Sequence, residues 1–483
     1  MPIFHSTTGT HGAGPSPRSI ALPAAQQALL ESEYDNMQAC IRCGLCLTSC
    51  PTYLISLAEE EGPRGRIAMA RALTEGHLEL TSDLLEHENN CLLCEACTRI
   101  CPAGVRMEEL GVPLRQVFED LQRRPWWQRA GRRLVYGHLF GSMANFRRLV
   151  ALLRLYERTG LWRLARASGL LRLLRLERLD AFLPPIERDF LEPHGQTWEP
   201  SGPVVGSAAL FAGCVMSTAF AETDRATGRL LARAGYRVRA TAGQGCCGAL
   251  NAHGGDREGA RDLARRNVEA FESDPAALVV VNAAGCGAML KEYGHLLRDD
   301  PAYVARAEAF AARVRDATEV LAGRLPPSAD GGDELLVTYQ EPCHLAHAQG
   351  ISREPRQLLK GIGGLELVEM KEASLCCGSA GLYNLLHPEK AGQLLDRKLD
   401  HALATGAPTI VTTNPGCLLQ LQAGLHGRGS RVRVRHIMDV LDEAYSAEAR
   451  PGPQVPRSTG PFVEQGTGDP GRQACSQKRS SAT

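Results

Sequence analysis

"CIRCGLCLTSCP" at residues 40–51 returns as "CLLCEACTRICP" at 91–102. In both runs two, two and three residues separate successive cysteines, and a proline follows the fourth. A spacing repeated this closely asks what needs four sulfurs together, twice. The first thirty residues show no basic stretch followed by an apolar one, so the chain is expected to be unprocessed. The expected setting is the cytoplasm, where thiols stay reduced and clustered cysteines serve metals rather than disulfides.

Cysteines at every third position let a tight loop wrap one face of an iron-sulfur cubane while its amides point at the sulfides. Gly44 keeps that loop free of a Cβ clash. The run is that of two-cluster bacterial ferredoxins, in which the fourth cysteine serves the other cluster. That resemblance assigns Cys40, Cys43, Cys46 and Cys101 to a first 4Fe-4S cluster, and Cys91, Cys94, Cys97 and Cys50 to a second. Zinc sites usually pair two Cys-x-x-Cys units across a longer arm, a poorer match. Arg64 and Arg66, in "GPRGRI", stand close enough in sequence to raise a cluster potential or to form a structural salt bridge.

The 483 residues carry equal numbers of basic and acidic side chains, so bulk charge points to neither nucleic acid nor membrane. No apolar run reaches the roughly 18 residues of a spanning helix. Residues 1–22 and 447–483 are rich in Pro, Gly and Ser and read as disordered tails. Cys475, in the second tail, reads as a free thiol. The reading places a helical ferredoxin-like domain at 23–115 and a basic helical linker at 116–200. Within 121–180 stand fourteen Arg against Glu157, Glu177 and Asp180, with Trp126, Trp127 and Trp162 interleaved. Such a stretch suits a peripheral membrane contact on the inner face of the cytoplasmic membrane. It suits equally a solvated Arg face packed on partner subunits. No module surrounds these arginines that would bind nucleic acid.

From about 204 the texture changes to strand-like runs alternating with helical ones, and it repeats. "AALFAGC" answers to "LVTYQEPC", "GQGCCGAL" to "ASLCCGSA", and "LVVVNAAGC" to "TIVTTNPGC", at a shift of about 130 residues. Two copies of one α/β fold follow, at 204–330 and 333–446. Each reads as a βαβαβ unit with a parallel sheet, whose cysteines emerge at the carboxyl ends of the strands. Cys214, Cys246, Cys247 and Cys286 would share one rim, and Cys343, Cys376, Cys377 and Cys417 the other. A shared inorganic ligand, cluster or zinc, accounts for that convergence better than packing. The vicinal pairs could instead form labile disulfides. The whole is an α+β multidomain chain.

The residues from about 35 to 445 resemble the iron-sulfur subunits of glycolate oxidase, also called glycolate dehydrogenase. The motifs are "CIRCGLCLTSCPTY", "EGPRGRI", "CLLCEACTRICPAGVR", "AGQGCCGA", "GCGAMLKEYG" and "LCCGSAGLYNLLHPEKAGQLLDRKL". The wider group shares the "CCG" domain with heterodisulfide reductase subunits and with subunits of lactate-utilising and glycerol-phosphate dehydrogenases. The resemblance implies an electron-transfer subunit without catalytic residues of its own. Partner subunits would carry FAD and oxidise glycolate to glyoxylate, and electrons would leave singly toward a quinone or other acceptor. FAD is expected in the partners because no Gly-x-Gly-x-x-Gly fingerprint is recognised; "KGIGGLELV" precedes a strand and reads as a turn. D-lactate or glycerol-3-phosphate is the alternative substrate. Each "CCG" motif lacks its last cysteine, with Met289 and Gln420 in that slot, which argues against a heterodisulfide-reducing site and leaves the metal of each repeat open. His344 and His347 flank Cys343, to tune a cluster, take up a proton, ligate a metal or simply fill a polar loop. Tyr383 and His387 read as packing and helix-start residues.

Overall fold

Prolines set the course of the chain around the first cysteine run. Pro51 and Pro63 stand at the first position of helices Pro51–Ser56 and Pro63–Thr74, where a missing N–H costs no hydrogen bond. The computed structural model describes residues 22–447 except 123, 174–179, 181, 184–185, 188 and 329–335. Both expected tails, Cys475 and Glu177 lie outside the described residues, save Leu22 and Ala447 at the tails' inner ends.

Helices Ala24–Glu31, Pro63–Thr74, Ser82–Asn89 and Met107–Leu121 enclose the first core, which includes Leu30, Met37, Ile67, Leu73, Leu84, Leu110, Leu114 and Phe118. Cys40, Cys91, Cys97 and Cys101 pack against its edge. The Thr81 side chain caps Ser82–Asn89 by accepting from the Leu84 amide. Helices Trp126–Arg132, Met143–Arg158 and Leu161–Ala167 then carry the linker. Phe146 and Val150 turn inward, while Leu152, Leu155, Leu161 and Leu164 stand more than half exposed. Among the described residues no helix is long and apolar enough to cross a membrane.

The repeats follow. Strands β1 (Thr197–Trp198), β2 (Gly206–Phe211), β3 (Tyr236–Ala240), β4 (Leu278–Val281) and β5 (Val314–Asp316) form one sheet in the order β1-β3-β2-β4-β5. Strands β6 (Leu336–Tyr339), β7 (Glu366–Val368), β8 (Thr409–Thr412) and β9 (Arg433–His436) form the second, in the order β7-β6-β8-β9. The central β8 is buried at every position, as a strand covered on both faces requires. Near the sheet edge β3 alternates instead, with Arg237 and Arg239 turned to solvent.

Two expectations are corrected here. Each repeat has four parallel strands rather than three, because β5 and β9 add beyond the third at registers Val279↔Val314 and Thr409↔Arg433. The first sheet is not purely parallel, since β1, inside the stretch read as a helical linker, pairs antiparallel with β3 through Thr197↔Arg239. Trp198 seats that edge strand on helix Ala221–Arg233: a Cβ on Gly228 would stand 2.5 Å from its indole. Gly228→Ala is therefore expected to cost about 1–3 kcal/mol through overpacking, read as a lower urea midpoint with a shift in tryptophan emission.

The repeats share one interior. Leu210 and Val280 of the first sheet and Val337, Tyr339 and Val411 of the second belong to the same buried group, with Leu441. Helix Ala221–Arg233 lies on helix Ile437–Ala447, where Arg229 reaches Asp442 at 2.6 Å. His436 seals the join, its Nε2–H donating to the Asn282 carbonyl at 2.9 Å and its Nδ1 accepting from the Met438 amide at 3.3 Å. Burial pushes His436 down to about 4. The unfolded chain, titrating near 6.5, binds the extra proton between those values. Stability therefore rises with pH across that window and is lost as pH falls from about 6.5 to 4, by about 3 kcal/mol in all. His436→Gln should remove this slope from a pH series of urea midpoints; equal slopes would contradict it.

Candidate metal centres

The two cysteine runs fold alike. Arg42 and Gly44 in the first, and Leu93 and Glu95 in the second, all take positive φ, between 48° and 83°. These are the same two positions of each run. Three of the four are not glycine, and such backbone costs about 1–2 kcal/mol per residue unless something repays it. Backbone strain of this kind gathers at ligand clamps. Amides of the loops turn onto sulfur: Leu93 N–H donates to Cys91 Sγ at 3.5 Å, and the Arg64, Ala96 and Thr98 amides serve Cys46, Cys94 and Cys97.

Cys40, Cys43, Cys46, Cys97 and Cys101 line one small cavity, and Cys50, Cys91, Cys94 and Cys97 line a second. As bare thiols, Cys91, Cys94 and Cys97 are pushed up by burial, and Cys46 is pushed up by burial to about 11. Cys46, Cys91, Cys94 and Cys97 are thus poor thiolates alone, and a cationic iron core would hold them deprotonated. The donor set fits two 4Fe-4S clusters.

In each repeat the expected cysteines converge beyond the strand ends. Cys214 Sγ donates to Cys246 Sγ at 3.7 Å, and Cys247 hydrogen-bonds to both Cys246 and Cys286. In the second copy Cys376 joins Cys343 to Cys377, and Cys377 joins Cys417. Hydrogen bonds from their neighbours push Cys246 and Cys377 down, while Cys214, Cys376 and Cys417 are pushed up. All sixteen described cysteines are free thiols, so the vicinal pairs are not disulfides. Four sulfurs on one rim fit a cluster or a tetrahedral zinc.

The fifth position of each motif is filled without sulfur of the right kind. Met289 is 3% exposed. Gln420 donates to the Cys377 carbonyl at 3.4 Å and accepts from Asn384 at 2.9 Å. The rims face one another: the Gly285 amide donates to Asn414 Oδ1 at 3.1 Å, while Asn414 Nδ2 donates to Cys417 Sγ at 3.4 Å.

One reading of the sequence needs correcting. Gly243, Gly245 and Gly248 do spell Gly-x-Gly-x-x-Gly between β3 and helix Ala249–His253. Buried Cys246 and Cys247 occupy its last two variable positions, and the helix is only five residues long. The turn presents sulfur where a dinucleotide site presents amides to pyrophosphate.

Several charged groups around the sulfurs went unnoticed in the sequence. Arg115, on the last helix of the first core, donates to the carbonyls of Cys91 and, at 2.5 Å, His253. Lys398, 1% exposed, donates to the carbonyls of Glu372 and Ala373 at 2.5 and 3.0 Å beside the second rim. Of the residues singled out, Arg64 pairs with Glu59 at 2.6 Å and Arg66 with Glu61 at 2.8 Å. His347 meets the Ser374 carbonyl at 3.1 Å, while Tyr383 and His387 stack at 4.7 Å ahead of helix Pro388–Leu403. Cys94 packs with Cys343, Cys376 and Tyr383, which sets the second cavity against the second repeat's rim.

Comparison with known proteins agrees with this division. Residues 36–105 match the 4Fe-4S dicluster domain, and 208–291 and 337–422 the cysteine-rich CCG domain. Residues 127–183 match the linker region of the glycolate oxidase iron-sulfur subunit. The chain is 41% identical to the probable glycolate oxidase iron-sulfur subunit of Bacillus subtilis, over 84% of this chain and 93% of that one. It is 33% identical to the glycolate oxidase iron-sulfur subunit of Escherichia coli, over 85% and 95%. Lactate utilization protein A of an Exiguobacterium species is 32% identical over 49% of this chain and 97% of its own. The chain therefore belongs to the family of glycolate oxidase iron-sulfur subunits.

Proposed function

We propose that this chain is the electron-transfer subunit of a glycolate dehydrogenase, taking single electrons from FAD-bearing partner subunits and passing them to a quinone or other acceptor. Cys40, Cys43, Cys46 and Cys101 hold one 4Fe-4S cluster, and Cys50, Cys91, Cys94 and Cys97 the other. Cys214, Cys246, Cys247 and Cys286, and Cys343, Cys376, Cys377 and Cys417, each hold a cluster or zinc. When bound, the cubanes supply one-electron storage. The residues keep them close, shield them from water and set their charge.

The observation that carries this reading is the unbroken run of sulfur sites. Cys97 lines both N-terminal cavities, and Cys94 of the second packs with Cys343 of the last repeat. A match along the linker as well as the cysteine domains favours glycolate over lactate as the substrate of the complex. Met289 and Gln420 disfavour a heterodisulfide-reducing site. Exposed Leu152, Leu155, Leu161 and Leu164, among the linker arginines, support a docking face for the partners or a membrane surface.

The deciding experiment counts iron, sulfide and zinc in anaerobically purified full chain, with electron paramagnetic resonance. Two cubanes require about eight iron and eight sulfide in the N-terminal domain. A correctly folded, iron-free preparation would sink the proposal. The chain alone should not oxidise glycolate, and adding the partner subunits should restore glycolate-dependent acceptor reduction.

A further inference from the structure

Glu108, His253 and His344 belong to three separate parts of the fold. Glu108 lies in helix Met107–Leu121, His253 ends helix Ala249–His253 of the first repeat, and His344 follows Cys343 in the second. One ligand atom of each lies within 4.8 Å of the other two. Glu108 Oε1 stands 3.8 Å from His253 Nε2, and the two imidazoles stack at 5.5 Å between centroids. The Glu108 and His253 side chains are each nine-tenths buried.

Two polar atoms of this group, Glu108 Oε2 and His344 Nε2, are sealed from solvent without a hydrogen-bond partner. His344 spends its other nitrogen on Cys343, with Nδ1 3.6 Å from the sulfur. Buried polar atoms are ordinarily paired, and two orphans beside a third ligand call for something between them.

We propose that Glu108, His253 and His344 bind a divalent cation of the zinc or ferrous class, distinct from the cysteine sites, that ties the ferredoxin-like domain to both repeats. Two imidazoles and one carboxylate form the donor set such cations take, whereas magnesium and calcium ask for oxygen throughout. Bonds of about 2.0–2.2 Å need the three atoms to draw in by about 1 Å, within the reach of side-chain rotation. Ligation at Nε2 would leave the His344 proton on Nδ1, facing the Cys343 sulfur.

The test uses full-length protein purified without air, loaded with Zn²⁺ and freed of excess. Wild type is compared with His253→Ala and with the isosteric Glu108→Gln. Each variant should hold one divalent cation fewer per chain, with sulfide content and cubane resonance signals unchanged. Zn²⁺ should raise the melting temperature of wild type and not of the variants. Equal metal content and equal melting in all three would overturn the proposal and leave a buried water there. If neither variant folds, Co²⁺-loaded wild type decides. Ligand-field bands from a nitrogen and oxygen site, beyond any sulfur charge transfer from the cysteine rims, support the site, and their absence ends it.

Discussion

If the proposed assignment holds, Cys94→Ser is expected to leave one of two cubanes and to lower glycolate-driven reduction of the acceptor by more than about 100-fold. Losing a second-shell group around a metal already costs 10–100-fold, and here a ligand itself is lost. The position explains why the effect should exceed that of other ligands. Cys94 is 8% exposed and packs with Cys343 and Cys376 of the second repeat. Serine there removes a sulfur that packs against the next site in the series. Reduction of flavin by glycolate in the proposed partner should survive, because in that scheme the chemistry lies upstream. Iron and sulfide counts, the resonance signal and stopped-flow flavin bleaching separate these outcomes. Wild-type turnover with the second cubane absent would show that electrons do not pass this way.

Arg66→Met is expected to cost about 3–5 kcal/mol, the usual penalty for removing one partner of a buried ion pair. Arg66 is 1% exposed. Its Nη2 donates to Glu61 Oε2 at 2.8 Å, its Nη1 to Thr52 Oγ1 at 3.0 Å and its Nε to the His87 carbonyl at 2.9 Å. Glu61 also binds Asn90 at 2.8 Å and, from the second repeat, Lys390 at 3.1 Å. Burial works against the charged Glu61 carboxylate, yet these partners hold it below the usual range. Methionine would keep the packing but leave Glu61 Oε2 without its guanidinium and Thr52 and the His87 carbonyl without a donor, so the anaerobic urea midpoint should fall. The same charge acts on Cys91 and Cys50, which line the second cavity. Its loss should move the potential of the cluster held there in the negative direction, since the reduced form carries more negative charge. Arg66→Lys separates the two effects by keeping the charge while losing the forked donor geometry. An unchanged potential in Arg66→Met would confine this residue to a structural role.

Sequence reading reached the two cysteine runs, the duplicated α/β half and the convergence of eight further cysteines on strand ends. Those features are periodic or closely spaced, and local chemistry explains them. It missed β1, a two-residue strand that owes its place to Trp198 lying on Gly228 rather than to its own propensity. It missed β5 and β9, short strands of three and four residues whose sequences carry charged side chains. It gave Arg66 two equal readings, and burial shows that one side chain can serve both: a structural ion pair and a charge beside the sulfurs.

Sulfur spacing, a matter of a few bonds along one loop, was decided before the chain folded: it made the N-terminal domain a holder of paired iron-sulfur sites and marked the two repeats as copies. Which sulfur stands beside which across domains was not. That Cys94 meets Cys343, that Lys390 reaches Glu61, and that Glu108, His253 and His344 converge depends on packing between residues some 90 to 330 positions apart. Such contacts arise only when separate cores close on one another, and no local pattern encodes them.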